Sequence, residues 1–151
     1  MKIIGLDCAS KTGFAISERG KIIESGVQDF TKKRGESNGL MFLRFRKWLK
    51  ELVELTSPDL LAYERAHFRG GAATEICVGL QTRVQEMAVE FNIPCAPVAT
   101  GTLKKFATGI GNAGKPEMME ASIKHLHRNP IDDNEADAVF ISLWASDNYE
   151  E

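Results

Sequence analysis

The sequence predicts an α/β layered fold: one mixed five-stranded sheet, three strands antiparallel and then two parallel, flanked by helices. Three observations carry this. The first 30 residues hold three short apolar runs with tight connections, the pattern of an antiparallel meander. Helical periodicity first takes over at Ser37–Leu55. After it, apolar runs alternate with helical stretches, which is the order of strands laid down in parallel. At 151 residues a single domain, 1–151, is expected to bury a real core.

Taken in order, KIIGLDC is a short buried strand. TGFAISERGKIIESGVQDF supplies two more, joined by a tight turn at Arg19-Gly20. In the next segment Leu40, Phe42, Leu43, Trp48, Leu49, Leu52 and Val53 largely keep helical spacing, and Ser57-Pro58 ends the helix. PDLLAYERA is a fourth strand that closes on an acid, Glu64. The Gly-rich HFRGGAAT leads into a long helix, from about Thr74 to Phe91. IPCAPVA is a fifth strand, GTLKKFATG a brief helix and KPEMMEASIKHL another. IDDNEADAVFISLWASDN closes the chain as an amphipathic helix.

Composition narrows the function classes. With 43% hydrophobic and 26% charged residues the chain is ordinary for a globular protein. No apolar run approaches the roughly 18 residues needed to cross a bilayer. No signal peptide is expected, because MKIIGLD meets an acid before any apolar region forms. Three cysteines, Cys8, Cys77 and Cys95, show no CxxC pairing and fit reduced thiols of a cytoplasmic protein. A net charge of −2 does not announce a nucleic-acid binder, yet cations cluster locally. The clusters are Lys32, Lys33 and Arg34; Arg44, Arg46, Lys47 and Lys50; Lys104 and Lys105; and Lys124 with Arg128. Any one of them also reads as a solvated face.

The acids hold the chemistry. Asp7 ends the first strand, Glu64 ends the fourth, and the last helix opens with Asp132, Asp133, Asn134, Glu135, Ala136 and Asp137. Strand ends and helix starts are where sites assemble in α/β sheets. Residues 133 and 137 share one helix face. Carboxylates that meet repel one another, so they need protons or metal ions, and an all-oxygen set without histidine or thiolate favours Mg²⁺ or Mn²⁺. Two such ions suit phosphodiester hydrolysis. The plainer reading stands beside this: Asp132 and Asp133 are good helix N-caps, and Asp132 with Glu135 forms a capping-box pattern.

At these residues the chain resembles the RuvC family of Holliday junction resolvases, and its element order is that of the ribonuclease H-like fold. The resemblance covers nearly the whole chain, from GLDCASKTGFAI through YERAHF to DNEADAV. LKKFATGIGNAGKPEM is its most specific stretch, where Lys104, Gly109, Gly111, Ala113 and Lys115 follow the family's lysine, GxGxAxK-like turn and helix in order. The resemblance implies a Mg²⁺-dependent, structure-selective DNA endonuclease, with Mn²⁺ as substitute and two ions per site. Asp7, Glu64 and Asp137 would be metal ligands. A fourth acid is expected one turn before Asp137. The RuvC position falls on Asn134 in this chain, so Asp133 is the substitute, with Asn134 and Asp132 as alternatives.

By the same resemblance Lys104 and Lys115 would sit by the scissile phosphate. Phe68 would meet the bases at the junction, with Arg69, Lys105 and Lys11 on DNA beside it. His67 is the alternative loop residue, suited to proton transfer. Thr12 either touches phosphate or shapes its turn. Family members act as homodimers on four-way junctions, and the long helix 74–91 either supplies part of that contact or packs on the sheet. The compact chain and the departures from the RuvC pattern suggest a divergent, phage-type member. The rival readings are a flap or branched-DNA nuclease, a YqgF-like nuclease, and an inactive junction-binding module. GLDCASKTG also resembles the first phosphate loop of actin-like ATPases, which need far more chain than this.

Overall fold

A computed structural model of the chain describes residues 1–67 and 70–149. Strand β1 (Lys2–Asp7) is followed after three residues by β2 (Lys11–Glu18), which pairs with it antiparallel. Arg19 and Gly20 both take positive φ, 54° and 74°. That is the mirror-image turn whose twist matches a two-residue hairpin, and it returns the chain as β3 (Lys21–Asp29). Helix α1 (Asn38–Thr56) starts at Ser37, whose side chain accepts the Leu40 amide hydrogen, and stops at Ser57 in the left-handed conformation. Strand β4 (Leu60–Glu64) then pairs with β1 in parallel, and β5 (Cys95–Val98) pairs with β4 in parallel. The sheet order is β3-β2-β1-β4-β5, and its three antiparallel strands followed by two parallel ones are what the sequence predicts.

Two cores lie on opposite faces of this sheet. On one face Ile4, Leu6, Ile16, Leu61 and Tyr63 pack under α1 and α2 (Ala72–Glu90), where Phe45 and Trp48 join Phe14 and Phe30. On the other, Ile3, Ala15, Leu60, Ala62, Ala96 and Val98 meet α3 (Thr100–Thr108), α4 (Lys115–Leu126) and α5 (Asp133–Tyr149). Among the described residues no helix is long and apolar enough to cross a membrane.

The last helix differs from its expected amphipathic character. Ala136, Ala138, Val139, Phe140, Ile141, Ser142, Leu143 and Ala145 are all buried. The sheet covers one side of α5, while α3 and α4 cover the other. Its polar residues are confined mainly to its two ends. Helix α5 also lies unusually close to the sheet, and two glycines make that possible. A Cβ on Gly5 would fall 2.6 Å from the Ser142 nitrogen and 2.7 Å from the Ala138 carbonyl oxygen, and one on Gly13 would overlap the Asn134 carbonyl.

Candidate metal and DNA site

Strand geometry places the first two acids. Side chains alternate across a strand, so Asp7 shares the α5 side of β1 with Ile3 and Gly5, and Glu64 shares it with Leu60 and Ala62 on β4. The parallel register runs to Leu6 opposite Tyr63; one residue further it sets Asp7 beside Glu64. Asp137, in the second turn of α5, faces both. Carboxylate oxygens of Asp7, Glu64 and Asp137 all lie within 4.8 Å of one another.

This crowding has an electrostatic signature. Burial, then the charges of Asp137 and Glu64, hold the Asp7 carboxyl well above the usual carboxylate range, and it donates a hydrogen bond to Asp137. Burial and the charge of Glu64 push Asp137 up to about 7. Burial also raises Glu64, against the opposing fields of His67 and Lys104. Among the described residues the opposing charges, His67 and Lys104 on Glu64 and Lys104 on Asp137, do not outweigh burial and mutual repulsion. An all-oxygen set of this kind fits hard divalent cations.

A cleft of about 400 Å³ opens over the cluster, lined by Glu64, Asp133 and Asp137 together with Lys104, Lys115 and His67. Asp133 lies on its wall rather than in the tight cluster and pairs with Lys115 at 3.6 Å; its charge still raises Asp7 and Asp137. The two alternatives for the fourth acid are engaged elsewhere. Asp132 Oδ1 accepts the Glu135 amide hydrogen at 2.9 Å, as an N-cap does. Asn134 Nδ2 donates to the Lys11 carbonyl at 2.8 Å, beside the Gly13 contact. The predicted capping box forms only in half: the Glu135 carboxylate accepts instead from the Ile131 amide (2.6 Å) and from Arg128.

Lys105 is exposed on α3 and Lys11 at the start of β2, both outside the cleft lining. Phe68 and Arg69 lie outside the described residues. Thr12 is fully buried and its hydroxyl donates to the Ala9 carbonyl at 2.6 Å, so it shapes the turn. Three of the four cations of α1 are spent on acids: Arg44 on Glu36, and Arg46 and Lys50 on Glu90.

One residue escaped the sequence reading. Thr100, opening α3, lies 2.6 Å from His67 Nε2 through its hydroxyl oxygen. Either partner can give the hydrogen in this contact, according to the imidazole tautomer. The same hydroxyl bears on Glu64, where it works against the rise that burial gives that carboxyl. The loop after β4 is thereby tied to the start of α3. A threonine at a helix start reads as a cap, and no sequence signal marks this link.

Comparison with known proteins follows this geometry. A family model described as crossover junction endodeoxyribonuclease RuvC matches residues 3–144. The RuvC endonuclease of Synechococcus sp. (strain RCC307) is 27% identical, over 96% of this chain and 98% of that protein. The Petrotoga mobilis RuvC is 29% identical, over 92% and 89%. Thermus thermophilus RuvC, solved in complex with a Holliday junction substrate, superposes with a TM-score of 0.80 at 20% identity, over 95% and 91% of the two chains. The fowlpox virus resolvase, solved with Holliday junction DNA, gives 0.64 at 13% identity, over 97% and 99%. These two structural likenesses show the shared fold.

Proposed function

The chain belongs to the crossover junction endodeoxyribonuclease RuvC family, and from that premise we propose that it resolves four-way DNA junctions by hydrolysing phosphodiester bonds. The observation that carries the reading is the meeting of the Asp7, Glu64 and Asp137 carboxylates at the end of two parallel strands. Members of the family are metal-dependent nucleases. For this chain the specific assignment is two Mg²⁺ ions, replaceable by Mn²⁺, held by Asp7, Glu64, Asp137 and Asp133. Bound there, the ions would supply an activated water and offset charge on the leaving oxygen of an in-line displacement.

The remaining residues act on the DNA. Lys104, whose field already reaches Glu64 and Asp137, offsets charge that develops on the phosphate. Lys115, which also lines the cleft at the start of α4, does the same. Thr100, bonded to His67 and bearing on Glu64, helps orient that carboxylate. Phe68 and Arg69, with Lys11 and Lys105 at the flanks, are assigned to the DNA arms. A four-way junction offers two equivalent strands, and a two-fold homodimer matches that symmetry; α2 is the assigned contact. The three free cysteines suit a reducing cytoplasm.

The test is cleavage of a synthetic four-way junction against a linear duplex and a flap, with Mg²⁺ and with EDTA, beside Asp7→Asn. Paired symmetric cuts in the junction alone, lost with EDTA and in the variant, are expected. Equal cutting of flap or duplex would replace the resolvase by a general branched-DNA nuclease. Tight junction binding without cutting would leave a binding module.

A further inference from the structure

The cation run Lys32-Lys33-Arg34 has no part in the site described so far, and the topology brings it to the same edge. Strands β1 and β2 are antiparallel, as are β2 and β3. The ends of β1 and β3 therefore emerge together. Asp29, the last residue of β3, lies opposite Lys11, and the Phe30 amide donates to the Ser10 carbonyl at 2.7 Å, in the turn that follows Asp7. The run thus begins two strands from the acid cluster, roughly 10 Å along the sheet. That span is close to the roughly 12 Å width of a DNA major groove.

Its local structure is built to present charge. The Glu36 amide donates to the Lys33 carbonyl at 3.0 Å, closing a four-residue turn with Arg34 and Gly35 at its corners. Gly35 has φ of 84°, which a turn of type II requires at that place. Glu36 holds the turn from within: one carboxylate oxygen accepts the Lys33 amide at 2.7 Å, and Arg44 binds both oxygens at 2.9 and 2.6 Å. Those bonds hold the Glu36 carboxyl down at about 2. Asp29 is similarly engaged, accepting from Thr31 and facing Lys11. With Asp29 matched by Lys11 and Glu36 by Arg44, the three exposed cations 32–34 remain as surplus. Lys32 and Arg34 pair with no acid among the described residues. The α1 cations differ in this respect, since Glu36 and Glu90 engage three of them.

The geometry points to this turn as a sequence-independent phosphate contact, holding the backbone of the duplex arm that leads away from the cut. The inference rests on the junction-nuclease reading. Surplus cations on a preorganised turn are what the DNA backbone recognises, through release of its condensed counterions.

The experiment measures junction binding in EDTA across a salt series, comparing wild type, K32Q/K33Q/R34Q and the charge-matched control R46Q/K47Q/K50Q. The turn variant is expected to lose about 10- to 100-fold in affinity near 0.1 M salt. Its log–log salt slope should flatten by about 2–3, with less than a third of that change in the control. Equal slopes for wild type and the turn variant would overturn the contact and leave the nuclease reading intact. Equal losses in both variants would reduce it to net charge and overturn it as well. A wild type that neither binds nor cuts the junction would remove the resolvase reading and this contact with it.

Discussion

Glu135 and Asp137 sit two residues apart on one helix, both withdrawn from water, and their carboxyls are driven in opposite directions. Glu135 has no exposed surface. Arg128 grips it with two bonds, at 3.0 and 2.6 Å, while the Ser25 hydroxyl (2.7 Å) and the Ile131 amide add theirs. Burial raises its pKa, but these donors outweigh burial and bring it below the ordinary value. Asp137 has two other acids for neighbours and is raised. A buried carboxylate is therefore not diagnostic in itself. The useful distinction is whether the protein supplies its counter-charge or leaves that to something bound.

The sharpest way to break this contrast is to neutralise an acid of the unpaired set. Asp7→Asn should reduce single-turnover junction cleavage by at least about 10³-fold, since metal-assisted chemistry is worth several kcal/mol. In EDTA the same variant should melt above wild type, because it removes a buried acid surrounded by like charge. A lower melting temperature would contradict the electrostatic account.

The paired acid should behave in the opposite sense. Glu135→Ala should cost about 2–4 kcal/mol in urea unfolding, the lower part of the range being favoured because Arg128 is 45% exposed. A cycle with Arg128→Met tests whether that loss belongs to the pair. Additive losses would show that the two residues act independently.

Acidity offers a third comparison, made on the metal-free protein. Carboxyls raised on folding bind more protons in the native state than in the unfolded one. Stability should therefore fall as pH rises from about 4 to about 7, the window set by Asp137, by an amount on the order of 2 kcal/mol. Mg²⁺ should suppress this slope, since it occupies the place of the protons. Chemical denaturation at four pH values, with and without Mg²⁺, reads both effects.

The smallest expected effect concerns the neutral link between loop and site. Thr100→Val should weaken Mg²⁺ affinity about tenfold, the scale of supporting hydrogen bonds around ligands, and Thr100→Ser should restore it. Titration calorimetry with a non-cleavable junction measures this apart from turnover. Equal affinities in Val and Ser variants would make the Thr100 hydroxyl incidental to the site.

Most of the architecture was legible because each element carries its own period and its own stop signals. Arg19-Gly20, Ser37 and Ser57 are turn and cap residues whose consequences are local. The acids were legible for a related reason: Asp7 and Glu64 interrupt apolar strands at their ends, and Asp137 lies too deep in α5 to be a cap. What remained hidden depends on partners far apart in the chain. Ser25 meets Glu135 across 110 positions, and Arg46 meets Glu90 across 44. No local pattern distinguishes Glu135, which its surroundings neutralise, from Asp133 beside it. The amphipathic expectation for α5 failed similarly, since its enclosure comes from elements on both sides.

Gly5 and Gly13 carry no chemistry, yet the approach of α5 to the sheet depends on the missing methyl at each. A saturation-mutagenesis screen scored by cutting would rank Gly13→Ala with the acid substitutions, and a screen scored by expression alone would flag Gly13 and pass Asp7→Asn. Running both screens sorts the functional map into reagents and spacers. In this protein the spacers belong to the strands that carry the acids or adjoin them.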